Sequence, residues 1–441
     1  MLGSFITDAV VVVLVLGIMI FLHELGHFMA AKAFGVRVLV FSLGFGKTLL
    51  HLQRGETDYR ISALPFGGYV KMAGDDPSEL RKGDQGEFLS QPRWHRFIIV
   101  VMGPAMNVLL AVGLLTGLYR VHFQRPAYLD QSARIGEVEP GSPAAQASLQ
   151  PGDLVLRFGT QENPKWEDLD YKIVTSANEI IPLEVQRNGE IVQTSLTPTA
   201  KGPDREGYAG WEPTMPGVLE WVEPGLPASK AGLKPGDEIV GINGQRDYYY
   251  PSIAYTIQTG NGKPVTLNVL RQGKEFQVTI QPIYAEMLGE KRWWVGFRFH
   301  DGMVVLHLSW GQALKASLGD NARNCLITFD VLGKILTRRM SARSLSGPIG
   351  ISQMAGKAYR AGIPELFLLV AFISLQLGIF NLLPIPVLDG GVILVLLVEG
   401  LIRRDLSLEV KERFVQVGIV FLLLLAGFVM YNDLVKTFRP Y

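Results

Sequence analysis

Three ionisable side chains interrupt the first apolar stretch of the chain, and their spacing suits metal chemistry. His23 and His27 are four residues apart, so on a helix they lie on one face and can bind the same metal ion. Glu24 lies beside the first histidine, where a carboxylate can act as a general base toward water. Polar groups inside an apolar helix are costly, which indicates function. The HExxH pattern therefore predicts a hydrolytic zinc site; the alternative is a structural histidine pair.

A catalytic zinc site needs a third protein ligand, and a distant apolar stretch supplies a candidate. Asp389 is the only charged residue between residues 366 and 398, and it follows Pro384 and Pro386. We predict that Asp389 completes the site. Asn381 either binds substrate or an oxyanion, or satisfies backbone groups that the prolines leave unpaired, and both interpretations stay open. The weaker candidate ligands are His51, His95, His122, His300 and His307.

Four apolar stretches must position these residues. They cover residues 9–31, 97–119, 366–398 and 414–431. A helix needs about 20 residues to cross a bilayer, so the sequence predicts four transmembrane helices, the third broken at its prolines.

The composition excludes other classes of protein. Basic and acidic residues number 42 and 41, which argues against nucleic-acid binding. The single cysteine, Cys325, excludes a disulfide scaffold and a cysteine-based zinc site.

The distribution of basic residues predicts the orientation of the chain. Ten Lys and Arg residues lie between the first two spans, and four lie between the last two. Both links are therefore expected on the cytoplasmic side, with the middle region outside. The predicted spans occupy domains 1–35, 97–120, 364–400 and 412–434. A β-hairpin region at 36–72 is expected against the membrane bundle, followed by a mobile cytoplasmic loop at 73–96.

The middle region contains an internal repeat 84 residues apart, in which VEPGxPA recurs before AxLxPGD. Each copy predicts a strand, a short helix, a Pro-Gly-Asp turn and a second strand. Residues 231–244 resemble the signature of the PDZ domain, so we predict PDZ domains at 127–205 and 206–283. They either bind a peptide by strand addition, and so control which substrates reach the active site, or serve only as spacers. Residues 284–363 are expected to form strands and amphipathic helices on the outer membrane surface.

Three motifs together resemble those of the site-2 protease family of intramembrane zinc proteases. They are HELGH at 23–27, GPAMN at 103–107 and NLLPIPVLDG at 381–390. The resemblance implies one zinc ion per chain held by His23, His27 and Asp389, with Glu24 as the catalytic acid and base. It also implies that Asn381 handles substrate. The hairpin residues Gly67, Gly68 and Tyr69 would form an edge that pairs with the substrate as an added strand.

The predicted fold is a polytopic α-helical membrane protein with four transmembrane helices, a membrane-associated β-hairpin sheet and two extracytoplasmic α+β PDZ domains. The predicted function is an intramembrane zinc metalloendopeptidase of the bacterial inner membrane. By resemblance, its substrate is a single-span membrane protein, such as an anti-sigma factor, that another protease has already trimmed. Two alternatives remain: a membrane-anchored PDZ scaffold with a non-catalytic metal site, and a protease for lipidated C-termini.

Overall fold

The computed structural model describes residues 2–75, 83–121, 123–202, 205–246, 249–287 and 290–438. These form two compact units. The first comprises Met1–Phe123, His307–Gly333 and Leu345–Tyr441, and the second comprises Gln124–Leu306 and Lys334–Ser344. Residues 76–82 of the predicted cytoplasmic loop, and the candidate ligand His122, lie outside the described residues.

The helices of the described residues vary from single turns to more than thirty residues. In chain order they are α1 (Leu2–Ala33), α2 (Arg93–Val121), α3 (Pro143–Gln146), α4 (Trp166–Thr175), α5 (Pro227–Lys230), α6 (Tyr250–Thr259), α7 (Trp310–Leu336), α8 (Pro348–Ala361), α9 (Ile363–Leu382), α10 (Asp389–Ile402) and α11 (Leu408–Phe438). Short 3-10 turns occur at Phe88–Ser90, Ala127–Asp130 and Ala342–Ser344.

The strands fall into one long hairpin and many short segments. They are β1 (Val38–Arg54), β2 (Thr57–Met72), β3 (Phe123–Pro126), β4 (Ile135–Val138), β5 (Leu154–Phe158), β6 (Gln161–Glu162), β7 (Ile181–Arg187), β8 (Glu190–Leu196), β9 (Thr199–Lys201), β10 (Glu206–Tyr208), β11 (Trp211–Pro213), β12 (Gly217–Val222), β13 (Glu238–Ile242), β14 (Gln245–Arg246), β15 (Val265–Arg271), β16 (Lys274–Ile280), β17 (Ile283–Met287), β18 (Glu290–Trp294), β19 (Phe297–Phe299) and β20 (Met303–Leu306).

Within the described residues, four helical segments are long and apolar enough to cross a membrane. They are Val10–Ala33, Arg93–Val121, Ile363–Leu382 and Leu408–Thr437. At 1.5 Å per residue, the shortest of them is about 30 Å long, which matches the hydrocarbon thickness of a bilayer. The four apolar stretches of the sequence therefore correspond to four candidate spans.

The third apolar stretch is broken where the prolines predicted it. Helix α9 ends at Leu382, and α10 begins at Asp389. Pro384 and Pro386 have no backbone N–H to donate, so the series of helical hydrogen bonds is interrupted between α9 and α10. The break places Asp389 at the first turn of a new helix rather than in the middle of a long one.

Helices α1, α2 and α9 approach one another closely through small residues. A Cβ atom on Gly26 would lie 2.2 Å from the carbonyl oxygen of Met102, so only glycine allows α1 to contact α2 there. On the other face of α2, the Ser374 hydroxyl of α9 donates to the Asn107 carbonyl at 2.8 Å. These contacts bring the three helices together around the residues with candidate chemistry.

The hairpin of β1 and β2 folds back on itself. Residues 40–43 of β1 pair with residues 58–61 on one side and with residues 68–71 on the other. The final segment of β2 is therefore an edge strand, because among the described residues its second side has no partner strand. After the hairpin, Phe88 is buried against α1 and α2, and α2 begins at Arg93, inside the predicted loop.

The second unit contains two hydrophobic cores that reflect the sequence repeat. Strands β5 to β8 form one sheet, while β12 to β16 and β19 form the other. In each repeat a buried aspartate pairs with an arginine 34 residues later: Asp153 with Arg187, and Asp237 with Arg271. Trp211 packs in the first core and pairs with Val138, although the predicted boundary between the repeats lies at residue 205.

Helix α7 forms the central part of the region predicted to contain strands and amphipathic helices on the outer membrane surface. Within the first unit it packs on the bundle through polar groups: Ser317 donates to the Val112 carbonyl at 2.9 Å, and Thr328 contacts Gln376 at 3.1 Å. Its leucines at 314, 318 and 326 are exposed. A helix lying on the membrane surface would turn its polar face toward water. In α7 the polar face instead contacts helices α2 and α9.

Candidate active site

His23, His27 and Asp389 converge although Asp389 is more than 360 residues away in the chain. The Nε2 atoms of the two histidines are 3.2 Å apart. The Asp389 carboxylate lies 3.1 Å from His23 Nε2 and 3.4 Å from His27 Nε2. The shorter of these distances is to Oδ2 and the longer one is to Oδ1, so the two ring nitrogens and the carboxylate group form a small triangle. In a tetrahedral zinc site with bonds of 2.0–2.1 Å, ligand atoms are about 3.3 Å apart, so these separations suit zinc.

The contacts of His27 fix which of its nitrogens faces the metal position. Its Nδ1 donates to the Ile99 carbonyl of α2 at 2.9 Å. The proton is then on Nδ1, and Nε2 is free to act as a ligand, which is the usual arrangement of a metal-binding histidine. Gly103 makes room for both rings, because a Cβ there would lie 2.3 Å from His27 Nε2.

Asn107 contacts the Nδ1 atom of His23, as the Ile99 carbonyl contacts that of His27. The sequence did not predict this role. The Asn107 side-chain nitrogen is 3.2 Å from His23 Nδ1, while its Oδ1 is buried and has no hydrogen-bond partner in the described part of the chain. If the amide is turned by 180°, Oδ1 accepts the proton of His23 Nδ1, and both groups are satisfied. That orientation is required when His23 Nε2 binds a metal. The GPAMN motif at 103–107 contains Asn107 and was the sequence feature that pointed to this residue, although no chemical role was predicted for it.

Glu24 lies beside the triangle and contacts the edge strand. The backbone of Val70 hydrogen-bonds to its carboxylate. A Cβ on Gly68 would lie 3.3 Å from Glu24 Cγ and 2.8 Å from the Ser42 carbonyl oxygen, so glycine lets the strand approach the helix. Tyr69 stacks on Phe45 at 6.0 Å between ring centroids. The predicted edge residues are therefore next to the predicted general base.

A cavity of about 380 Å³ opens at the triangle and joins the site residues. Tyr69 and Val70 line it from the edge strand, and Asn381 lines it from the end of α9. The Asn381 amide nitrogen is 3.5 Å from His23 Nδ1, which is too long for a strong hydrogen bond. The structure thus brings together the ligands, Glu24, Tyr69 and Asn381 around one space.

Three of the weaker candidate ligands have other partners. His51 lies on the hairpin 3.5 Å from Asp58, and His95 contacts Gln91 at 2.8 Å. His300 contacts Asp301 in the second unit. Within the described part of the chain, the cluster suited to a metal ion consists of His23, His27 and Asp389.

Comparison with known proteins identifies the family. The sequence pattern of peptidase family M50 matches residues 11–425. The chain belongs to this family. Among its relatives, the regulator of sigma-E protease RseP of Escherichia coli K12 is 31% identical over 98% of the chain and 99% of that protein. Protease RseP of Yersinia pestis is 32% identical over 96% of the chain and 97% of its own length.

Membership of family M50 confirms the predicted class of enzyme and the predicted metal. A Treponema pallidum protein that is 31% identical over 96% of the chain and 97% of its own length has zinc metalloprotease in its name. The M50 chain is a zinc metalloprotease of the site-2 type, and its described residues contain a histidine-histidine-aspartate cluster that could hold a zinc ion.

Proposed function

We propose that this M50 peptidase cleaves a single-span membrane protein inside the bilayer. One observation carries the proposal: two histidines inside the first candidate span and an aspartate of α10 come within 3.1–3.4 Å of one another beside Glu24. Isolated polar groups at this depth would be costly, whereas a shared zinc ion satisfies all three. His23, His27 and Asp389 are the proposed zinc ligands.

Glu24 is the proposed proton carrier. Zinc supplies a Lewis acid that polarises the scissile carbonyl and makes water acidic at neutral pH. Glu24 takes a proton from the attacking water and returns it to the leaving amine, which is general base catalysis followed by general acid catalysis. Its place between His23 and the edge strand puts the carboxylate within reach of both the water and a bound peptide.

Residues 67–72 are the proposed docking strand for substrate. A substrate helix hides its amides in hydrogen bonds, so it must become extended before cleavage. The side of Gly68, Tyr69 and Val70 that faces away from β1 has no partner strand among the described residues, so it can offer backbone groups to an extended chain, as in β-strand addition. Asn381, on the opposite wall of the cavity, is proposed to bind the substrate backbone.

The relatives' names suggest the biological setting. Two of them are named for RseP, and one name includes regulation of sigma-E. By analogy, the substrate is an anti-sigma factor that another protease has trimmed, and the location is the bacterial inner membrane. The distribution of Lys and Arg supports an active site near the cytoplasmic side. The two repeat modules are proposed to be periplasmic PDZ domains that exclude bulky substrates or bind a peptide.

Reconstitution in liposomes tests the proposal. Purified protein with zinc is mixed with a synthetic single-span reporter that carries either a large folded outer domain or a short outer stub. The stub reporter should be cleaved within its span, and the full-length reporter should be cleaved at least about tenfold more slowly. Equal cleavage of both would contradict the gating role. Cleavage only outside the span would contradict intramembrane proteolysis.

A further inference from the structure

A second cavity, of about 420 Å³, lies beside the metal cavity in the first unit. Val100 of α2 and Val387 of the segment before α10 line both spaces. The two cavities therefore adjoin at these valines, and we call this place the neck. A chain lying across the metal position would pass the neck to enter the second space.

Val387 has a backbone conformation that valine rarely adopts. Its φ is +80°, in the left-handed region that a β-branched side chain strongly disfavours. Such strain persists where the surroundings impose it, and it is concentrated at functional sites. Glycine would adopt this conformation freely, but it would leave the neck without a side chain. The strained position therefore places an apolar side chain at the neck between the two cavities.

The walls of the second cavity change character along α10. Near the neck they are apolar, with Val392, Val395 and Phe414. At the far end they include Arg96, Glu399 and Lys411. Glu399 is fully buried; one carboxylate oxygen accepts from Lys411 at 2.7 Å and from the Leu406 N–H at 3.0 Å. Its other oxygen has no hydrogen-bond partner among the described residues.

The length of the cavity suits a stretch of polypeptide rather than one side chain. Glu399 follows Asp389 by ten residues of helix, which corresponds to about 15 Å. An extended chain rises about 3.3 Å per residue, so four or five residues span this distance. Apolar residues would fit the valine-lined part, and a hydrogen-bond donor would fit the unpaired oxygen of Glu399.

We propose that the second cavity binds the substrate segment that runs from the scissile bond toward the cytoplasmic boundary of the membrane. This inference rests on the proposed function. The first residues of the segment are apolar and pass between Val100 and Val387. A polar or basic residue four or five positions beyond the scissile bond reaches Glu399. The second cavity thus selects substrates by the sequence on one side of the cleaved bond, whereas the edge strand holds their backbone.

Cysteine cross-linking tests where the substrate lies. The protein carries Glu24→Gln to trap substrate and Cys325→Ser to remove its own thiol, together with either Val395→Cys or Leu397→Cys. Val395 lines the cavity, whereas Leu397 is 54% exposed on the same helix and is the matched control. The probe is a synthetic single-span polypeptide with an outer stub and one cysteine, scanned along the span. Disulfides form in liposomes under copper-phenanthroline.

Val395→Cys should cross-link to probe cysteines two to five residues to the cytoplasmic side of the bond that the wild type cleaves. Leu397→Cys should cross-link at least tenfold less. Equal cross-linking at both positions would overturn the inference. So would the absence of cross-links at Val395→Cys, which is the result expected if the cavity holds a phospholipid instead.

Kinetic measurements on two further variants distinguish failure of this inference from failure of the proposed function. Val395→Phe should lower kcat/KM for the stub probe at least tenfold with zinc content unchanged, while Leu397→Phe should stay within twofold of the wild type. If the wild type cleaves and Val395→Phe cleaves equally well, the second cavity is not a substrate site. If the wild type does not cleave at all, the proposed function fails, and preferential cross-linking at Val395→Cys over Leu397→Cys still shows whether a polypeptide occupies the cavity.

Discussion

At the residue scale, the chemistry depends on which nitrogen of each histidine carries the proton. Ile99 settles this for His27 through a backbone carbonyl, and Asn107 settles it for His23 through a side chain. The sequence predicted that His23, His27 and Asp389 lie together, because HExxH and an isolated aspartate are costly in apolar segments unless they bind a metal. It could not predict the role of Asn107, because an asparagine in a helix has many uses and only the folded contact with His23 selects one.

Replacement of Asn107 tests its positioning role. Asn107→Leu should weaken zinc binding by about 10- to 100-fold, because His23 loses the partner that orients its ring. Asn107→Asp keeps an acceptor at the same place and should restore most of the affinity. Competition with a chelator measures the zinc affinity of each variant. Equal affinities for the leucine and aspartate variants would show that Asn107 only fills space.

At the element scale, the site depends on how closely α1 and α2 approach and on where α9 is broken. The prolines made the break predictable, and the apolar lengths made the spans predictable. The doubled-back pairing of β1 and β2 was not predictable, because register depends on partners far along the chain and this hairpin is irregular at many positions. The polar packing of α7 on the bundle was also missed, since an amphipathic pattern does not say what covers either face.

The contact between α1 and α2 can be tested with one methyl group. Gly26→Ala places a Cβ 2.2 Å from the Met102 carbonyl oxygen, so the helices must move apart and His27 must move with them. Zinc content and proteolysis should both fall by at least about tenfold. Gly117→Ala on α2 is the control, because a Cβ there has nothing within 4 Å. Retention of zinc in Gly26→Ala would contradict the proposed dependence on close packing.

At the scale of the whole molecule, the chain combines a membrane-embedded unit with a second unit built from a repeat. The repeat was visible in the sequence, and the strands Leu154–Phe158 and Glu238–Ile242 occur as predicted. The Asp–Arg pairs were not foreseen, because 34 residues separate the partners. Burial raises the pKa of Asp237, but hydrogen bonds from Arg271 and the Lys234 backbone outweigh it, so its pKa lies below the usual range.

This lowered pKa predicts how acid affects the second unit. Asp237 contributes stability at pH values above its unfolded pKa of about 4, and this contribution is lost as the pH falls through the lower folded pKa. Arg271→Met should lower the unfolding temperature at pH 7 by a few degrees and reduce the steepness of acid unfolding. Thermal scans followed by tryptophan fluorescence provide the measurement. Arg246→Met is the control, since its pair with Glu275 is exposed on both sides; an equal effect would contradict the prediction.

If a zinc site inside the membrane hydrolyses peptide bonds with Glu24 as the proton carrier, loss of the Glu24 carboxylate should stop catalysis without releasing the metal. Bound zinc and cleavage of the stub reporter are measured in the same preparation of Glu24→Gln protein. We expect one zinc ion per chain, as in the wild type, with cleavage reduced at least about 100-fold. Cleavage at the wild-type rate by zinc-loaded Glu24→Gln protein would contradict this role of Glu24.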